Sequence, residues 1–300
     1  MKASLIEKAK KIIEDRRYDA VSLAQSNKIE ALKNEEFKKI YYAYLDSMQA
    51  DAKEGKDSSR QTIMLEGEYL DWLKEHEVGE IMPQYSCKKC EDSGYVNGKY
   101  CDCLVTEINE LLKKESGFLN LERFDDANFE IFEEKEKIKK LYSKMKEWCY
   151  SNFDKTLIFL AGQTGVGKTH LMKCMANELI GRQKLVLLTT SFAMNQDFLK
   201  SYSTRDLEEK NHLLDKYLTA EILFIDDLGT ELRQRDITTQ FLYQVLNERK
   251  MQKRPTVITS NLNLDDIMEY YDERISSRIS DKETSISIYL KGKDLRLLKY

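Results

Sequence analysis

The sequence predicts an α/β protein: a parallel sheet in the C-terminal half, preceded by a small helical, metal-stapled domain. Three observations carry that expectation. Gly162-Gln163-Thr164-Gly165-Val166-Gly167-Lys168-Thr169 lies between an apolar run, Thr156 to Ala161, and an apolar-periodic segment ending at Ile180, which reads as strand, phosphate loop and helix. Downstream, short apolar runs alternate with helical stretches, as βαβ units require. Upstream, four cysteines fall between Cys87 and Cys103.

A chain of 300 residues has room for about two domains. Its 52 acidic and 48 basic residues nearly cancel, so net charge neither demands nor excludes a nucleic-acid partner, and any binding face must be local. Met1 to Lys11 carries charges every few residues with no apolar leader core, and no stretch approaches 18 uncharged apolar residues. The expectation is a cytoplasmic protein without a membrane partner. Six cysteines in that compartment argue against a disulfide framework.

Residues 1–54 contain neither Gly nor Pro, and the chain should open with a helix from about Ala3 to Arg17. Phe37, Ile40, Tyr41, Tyr44, Leu45 and Met48 then mark an amphipathic helix. After a polar break at 53–59, a third runs from Thr62 to about His76. Cys87-Lys-Lys-Cys90 and Cys101-Asp-Cys103, separated by ten residues that include Gly94 and Gly98, can place four thiolates around a structural Zn²⁺. Zinc is preferred to an iron–sulfur cluster or unligated thiols because no electron-transfer chemistry is visible elsewhere. The tight C-x-C pair leaves open whether all four ligate, and His76 could replace one. Cys149 and Cys174 sit in helical, apolar contexts and read as packing residues.

A helix from Leu104 to about Ser116 follows. Residues 121–132 lack periodicity and read as the connection between domains. After a helix at about 136–150 and the phosphate-loop strand, further strands are expected at 184–190, 222–225 and 256–260. The boundaries are therefore 1–116 for the helical, cysteine-bearing domain, 117–135 for a linker and 136–300 for the nucleotide-binding domain.

The phosphate loop carries the most specific chemistry. Gly162, Gly165 and Gly167 let backbone N–H groups curl around a β-phosphate; Lys168 can reach the β- and γ-phosphates, the Thr169 hydroxyl can ligate Mg²⁺, and the helix N-terminus faces the anion. In an open α/β sheet the carboxyl ends of the strands border the ligand crevice, so Asp226, Asp227 and Asn261 should converge there. Asp226 closes an apolar strand and is suited to the Mg²⁺ shell; Asp227 can polarise an attacking water, and Asn261 can orient that water or touch the γ-phosphate.

With Leu223-Phe-Ile-Asp-Asp-Leu-Gly-Thr-Glu231, Thr259-Ser-Asn261 and Glu273-Arg-Ile-Ser-Ser-Arg-Ile279 added to the phosphate loop and His170, the chain from about residue 120 resembles the bacterial replicative-helicase loaders of the DnaC/DnaI type. These are AAA+ ATPases with an IstB-like ATP-binding core. The cysteine module is similar to the N-terminal helicase-binding domain of the DnaI-like branch. The resemblance implies an AAA+ P-loop NTPase core that binds and hydrolyses ATP with Mg²⁺. Nucleotide contacts would come from Gly162, Gln163, Thr164, Gly165, Val166, Gly167, Lys168, Thr169, His170 and Asp226, and catalysis from Lys168, Asp227 and Asn261. It points to Arg278, less favourably Arg274, as an arginine finger on a neighbouring subunit's ATP, hence to self-association, and to Arg296 as sensor II. The implied partners are a hexameric replicative DNA helicase and single-stranded DNA; mixed charges between Ser191 and Lys216 single out no DNA ligand. The alternative is an IstB-like ATPase helper of a DNA transposition system, which shares the core.

Overall fold

The computed structural model describes residues 3–116, 118, 120–232 and 234–295. The chain divides into two compact units, residues 10–103 and residues 1–9 with 104–300.

The first helix, α1 (Ala3–Ala31), which enters the 10–103 unit at Lys10, runs on well past Arg17 because nothing in the sequence breaks it. Asn34 caps α2 (Glu35–Lys53) by accepting from the Glu36 and Phe37 N–H groups at 2.8 and 3.3 Å. Ser59 caps α3 (Arg60–Glu75). The turn between them is fixed by buried Asp51, which accepts from Ser59 N–H and the Thr62 hydroxyl, each at 2.6 Å. The periodic apolar positions meet as an aromatic cluster of Phe37, Tyr41, Tyr44, Tyr69 and Trp72. Phe37 lies 4.9 Å from Trp72 between ring centroids, and Tyr41 meets Tyr69 edge-on at 5.7 Å. A two-stranded hairpin, β1 (Tyr95–Val96) and β2 (Lys99–Tyr100), turns through Asn97 and Gly98. Both have positive φ (50° and 74°), as a two-residue hairpin loop requires.

The second unit is built on a five-stranded parallel sheet: β3 (Leu157–Gly162), β4 (Val186–Thr190), β5 (Ile222–Leu228), β6 (Thr256–Ser260) and β7 (Ser285–Leu290), in the order β4-β5-β6-β3-β7. β3 and β6 are buried at every residue, which is why they appear as unbroken apolar or Thr/Ser runs. Helices α5 (Lys135–Tyr150) and α6 (Lys168–Gly181) share a core with β3 in which Trp148, Met172, Met175 and Leu179 pack with Ile158 and Leu160. Cys149 and Cys174 are fully buried there; burial pushes both thiols up to about 12, as befits packing residues.

α4 (Asp102–Ser116) joins this unit from Leu104 onward. Its buried Asn109 donates to Lys184 O at 2.9 Å and accepts from Val186 N–H at 3.1 Å, docking the helix on edge strand β4. Within the stretch read as the connection, Phe124, Phe129 and Phe132 pack against the core of this unit. Phe124 and Phe129, each in a 3₁₀ turn (Phe124–Asp126 and Phe129–Ile131), meet Tyr142 edge-on at 6.1 and 5.2 Å. The rest of the unit supplies α7 (Ser191–Ser203), α8 (Leu207–Thr219), α9 (Arg235–Met251), α10 (Leu264–Tyr270) and α11 (Glu273–Ser280). Buried Arg249 on α9 donates to Tyr217 O, Ala220 O, Pro255 O and the Thr256 hydroxyl at 2.6–2.9 Å, holding the end of α8 against the start of β6. Among the described residues no helix is long and apolar enough to cross a membrane.

Candidate functional site

Strand order decides what meets at the carboxyl edge of the sheet. Because β6 lies between β3 and β5 in register, the phosphate loop, Asn261 and the Asp226-Asp227 pair end side by side. Gly162 leaves β3 at φ 147°, where an added Cβ would lie 2.3 Å from Leu290 O, so backbone from β7 closes against it. Gly167 takes φ 93° as the residue before α6.

Lys168, only 5% exposed, donates to Gly162 O (2.7 Å), Gln163 O (2.8 Å) and Asn261 Oδ1 (2.8 Å). Its ammonium thus joins the loop to the strand carrying Asn261. Thr169 Oγ1 donates to Asp226 Oδ1 at 3.0 Å, and the same oxygen accepts from Thr259 Oγ1 at 2.5 Å. A hydroxyl and a carboxylate thereby share one spot, a donor pair that suits Mg²⁺. Next to it β5 bulges between Ile225 and Leu228 and Asp227 takes φ 55°, a conformation Asp tolerates better than most residues. The bulge turns Asp227 onto the cavity while Asp226 stays on the threonines.

That cavity, about 330 Å³, is lined on one side by Thr164, Gly165, Gly167 to His170, Asp227 and Asn261. Its other wall comes from Ala127, Asn128, Ile131, Phe132, Tyr142 and Leu295. A loop of backbone donors at a helix N-terminus, a lysine, a hydroxyl–carboxylate pair and an apolar wall can receive a nucleoside triphosphate with its metal.

Sequence reasoning found the polar half of this cavity and missed the apolar half. The available signal was Phe124, Phe129, Ile131 and Phe132 within nine residues, more apolar surface than a solvated tether carries. His170 lines the cavity and its Nδ1 lies 3.0 Å from the Tyr142 hydroxyl; burial pushes its pKa down, favouring the neutral ring. Arg278 does not line this cavity. It lies on α11, with Nε donating to Asn247 Oδ1 at 3.2 Å, while Arg274 bonds Asp272 at 2.8 Å with its guanidinium 4.9 Å from the centre of the Tyr243 ring. Arg296 lies outside the described residues; Leu295 N–H, just before it, donates to Gly165 O at 3.1 Å.

Lys168→Ala is expected to weaken MgATP binding by roughly a hundredfold or more, since it removes the cation that would face the phosphates, where charge-assisted hydrogen bonds are strongest. Titration with a fluorescent ATP analogue measures this, and wild-type affinity in the variant would refute it.

In the 10–103 unit, the Sγ atoms of Cys87, Cys90, Cys101 and Cys103 lie within 4.8 Å of one another, with Cys87–Cys101 at 3.8 Å and Cys90–Cys103 at 3.4 Å. Tetrahedral zinc with Zn–S bonds of about 2.3 Å needs sulfurs about 3.8 Å apart, so the donor set fits a closed four-thiolate site. The first knuckle is shaped by Glu91 and Asp92 at positive φ, with the buried Asp92 carboxylate accepting from Ser86 and Cys87 N–H at 2.7 and 2.9 Å. In the second, Cys101 N–H donates to Gly94 O at 2.9 Å, and Cys103 lies in the first turn of α4, so one intervening residue suffices. His76, considered above as a substitute ligand, is instead stacked on Trp72 at 3.9 Å, with Nδ1 2.9 Å from Trp72 O.

Residues 112–297 match the family described as IstB-like ATP binding protein. An uncharacterized protein of Bacillus subtilis, YqaM, is 30% identical over 210 residues, covering 66% of this chain and 65% of its own length. The phage-like element PBSX protein XkdC of the same organism is 28% identical over 229 residues, covering 70% of this chain and 84% of its own. The replicative helicase loader DnaC of Buchnera aphidicola is 27% identical over 161 residues, covering 53% of this chain and 65% of its own. The chain thus spans slightly less than two thirds of YqaM and of this DnaC.

Proposed function

The chain belongs to the IstB-like ATP binding protein family, AAA+ ATPases related to DnaC, and from that premise we propose that it is an ATP-hydrolysing switch acting on a DNA-bound protein assembly. The observation that carries this reading is the convergence of Lys168, Thr169, Asp226, Asp227 and Asn261 at one end of the sheet. In it Lys168 neutralises the β- and γ-phosphates, and Thr169 with Asp226 would hold Mg²⁺, which would supply charge neutralisation at the transferred phosphoryl group. Asp227 accepts the proton of the attacking water and Asn261 orients that water. Arg278 acts on the ATP of a neighbouring copy, which makes hydrolysis depend on self-association.

Two assemblies are candidates. The family match supports the ATPase helper of a transposition system more directly for residues 112–297. The cysteine centre ahead of the core, with the similarity to a replicative helicase loader, supports delivery of a hexameric helicase onto single-stranded DNA, with residues 1–116 as adaptor and 136–300 as motor. Full-length protein is to be tested in pull-downs with the replicative helicase and with the transposase of its own host. Retention of the helicase, with single-stranded DNA stimulating ATP hydrolysis, is the result expected of a loader; retention of the transposase alone selects the transposition helper. Arg278→Ala should keep ATP binding and lose stimulated hydrolysis, and undiminished stimulation would remove the finger assignment.

A further inference from the structure

Glu231 follows the Asp226-Asp227 pair by a few residues, yet it does not line the nucleotide cavity, and at 4% exposure it is a buried carboxylate. Among the described residues it forms no ion pair. Its two oxygens are divided between separate pieces of the fold: Oε2 accepts from Gly229 N–H at 3.0 Å and Oε1 from the Tyr271 hydroxyl. The main chain repeats the link, since the Tyr270 hydroxyl donates to Glu231 O at 3.1 Å.

The first piece is the turn after the β5 bulge. Asp227 at φ 55° is followed by Gly229 at φ 98°, where an added Cβ would lie 2.5 Å from a Leu262 methyl, so the turn has little room. Thr230 closes it by donating to Asp227 O from both N–H (3.2 Å) and hydroxyl (2.8 Å). The second piece is the corner between α10 and α11. Tyr271, 3% exposed, ends α10, and the next residue, Asp272, caps α11 by accepting from Ile275 N–H at 2.9 Å while also binding the Arg274 guanidinium.

Burying a carboxylate is costly, and an apolar contact could hold the same two elements together without that cost. What an apolar contact cannot do is fix two donors at hydrogen-bond length and angle. Burial and the neighbouring charge push the Tyr271 hydroxyl's pKa far up, so it stays protonated and remains a donor.

We propose that Glu231 is a positioning residue that sets the Asp227 turn against the α10–α11 corner bearing Arg274 and Arg278. The inference rests on the reading of Asp227 as the group that acts on the attacking water. Glu231 itself touches no nucleotide; it fixes where the Asp227 carboxylate stands and ties that position to the arginine-bearing helix.

The experiment measures steady-state ATP hydrolysis by the full-length wild type, Asp227→Asn, Glu231→Ala, Glu231→Gln, Tyr271→Phe and the Glu231→Ala/Tyr271→Phe double variant, with thermal unfolding and ATP-analogue affinity for each. Tyr271→Phe removes one hydroxyl and severs only the link to the corner. It should lower kcat about tenfold or more, because small misplacements of a catalytic group have effects of that size, while KM and analogue affinity stay within about twofold of wild type. Glu231→Ala should lower kcat further at unchanged affinity, Glu231→Gln should recover part of it by keeping one acceptor, and the double variant should match Glu231→Ala, as expected for one shared contact. Wild-type kcat in Tyr271→Phe and Glu231→Ala, a matching rise in KM, additive effects, or loss of folding in both single variants would overturn the inference. If wild-type turnover disappears in Asp227→Asn while the Glu231 variants remain fully active, the inference alone falls; a wild type without turnover removes the proposed function and the inference together.

Discussion

Asp227→Asn is expected to keep MgATP bound and to lower turnover by about a hundredfold or more, the scale on which general-base groups act. The substitution changes one carboxylate oxygen to an amide and leaves the metal-side contacts alone, since Thr169 and Thr259 both bond Asp226. The bulge should survive it, because that bulge is held by backbone: Asp227 N–H donates to Thr259 Oγ1 at 2.9 Å and Asp227 O accepts from Ser191 Oγ at 2.7 Å. Asn is also among the residues that tolerate positive φ. A phosphate-release assay beside a nucleotide titration separates binding from chemistry. Asp227→Asn turning over at the wild-type rate would move the base role to another group.

The second large effect concerns the cysteine centre. The full-length protein should contain one zinc per chain, and its removal by a chelator, or Cys101→Ser, should unfold the 10–103 unit while the sheet of the other unit stays folded. Binding free energy at structural zinc sites in small domains is about 10–16 kcal/mol, and it is folding free energy, because the site does not exist in the unfolded chain. Cys101 is 2% exposed and is bonded through its N–H to the hairpin, so losing the metal exposes the knuckle at its best-buried point. Hydrogen exchange resolved by segment, together with elemental analysis, measures both halves of the prediction. Iron with a charge-transfer absorbance, or unchanged protection in residues 10–103 after chelation, would overturn it.

The polar half of the candidate site was legible in the sequence because its residues stand at the ends of strands that announce themselves. Thr256–Ser260 is fully buried and its sequence marks both of its observed ends, while β3 and the first four residues of β5 declare themselves by unbroken apolar runs. What escaped was set by tertiary contact. β7 alternates Ser, Ile, Ser, Ile, Tyr and Leu in the half-exposed pattern of an edge strand, a weaker signal than a buried run. The bulge at Asp227 cannot be read from Ile-Asp-Asp-Leu, since only pairing with β6 defines it. The docking of α4 depends on one buried asparagine reaching the backbone of β4, some 75 residues away in sequence. The cysteine cluster is legible by spacing alone, and the tight C-x-C pair still brings its two Sγ atoms to the others because a helix turn begins there.

The strand order has a consequence for how the chain must be made. The phosphate-loop strand is flanked by β6 and β7, so its neighbours are the last two of the described strands to be synthesised, about 100 and 130 residues later. At typical translation rates, roughly 6 to 26 seconds pass between the emergence of residue 160 and that of residue 288. Until β6 emerges, an apolar segment buried on both faces in the finished protein has neither partner, and until β7 follows it has only one; the contacts that complete it are long-range and slow to close. The nascent chain is therefore most exposed to misassociation at the phosphate-loop strand, and chaperone demand should concentrate there.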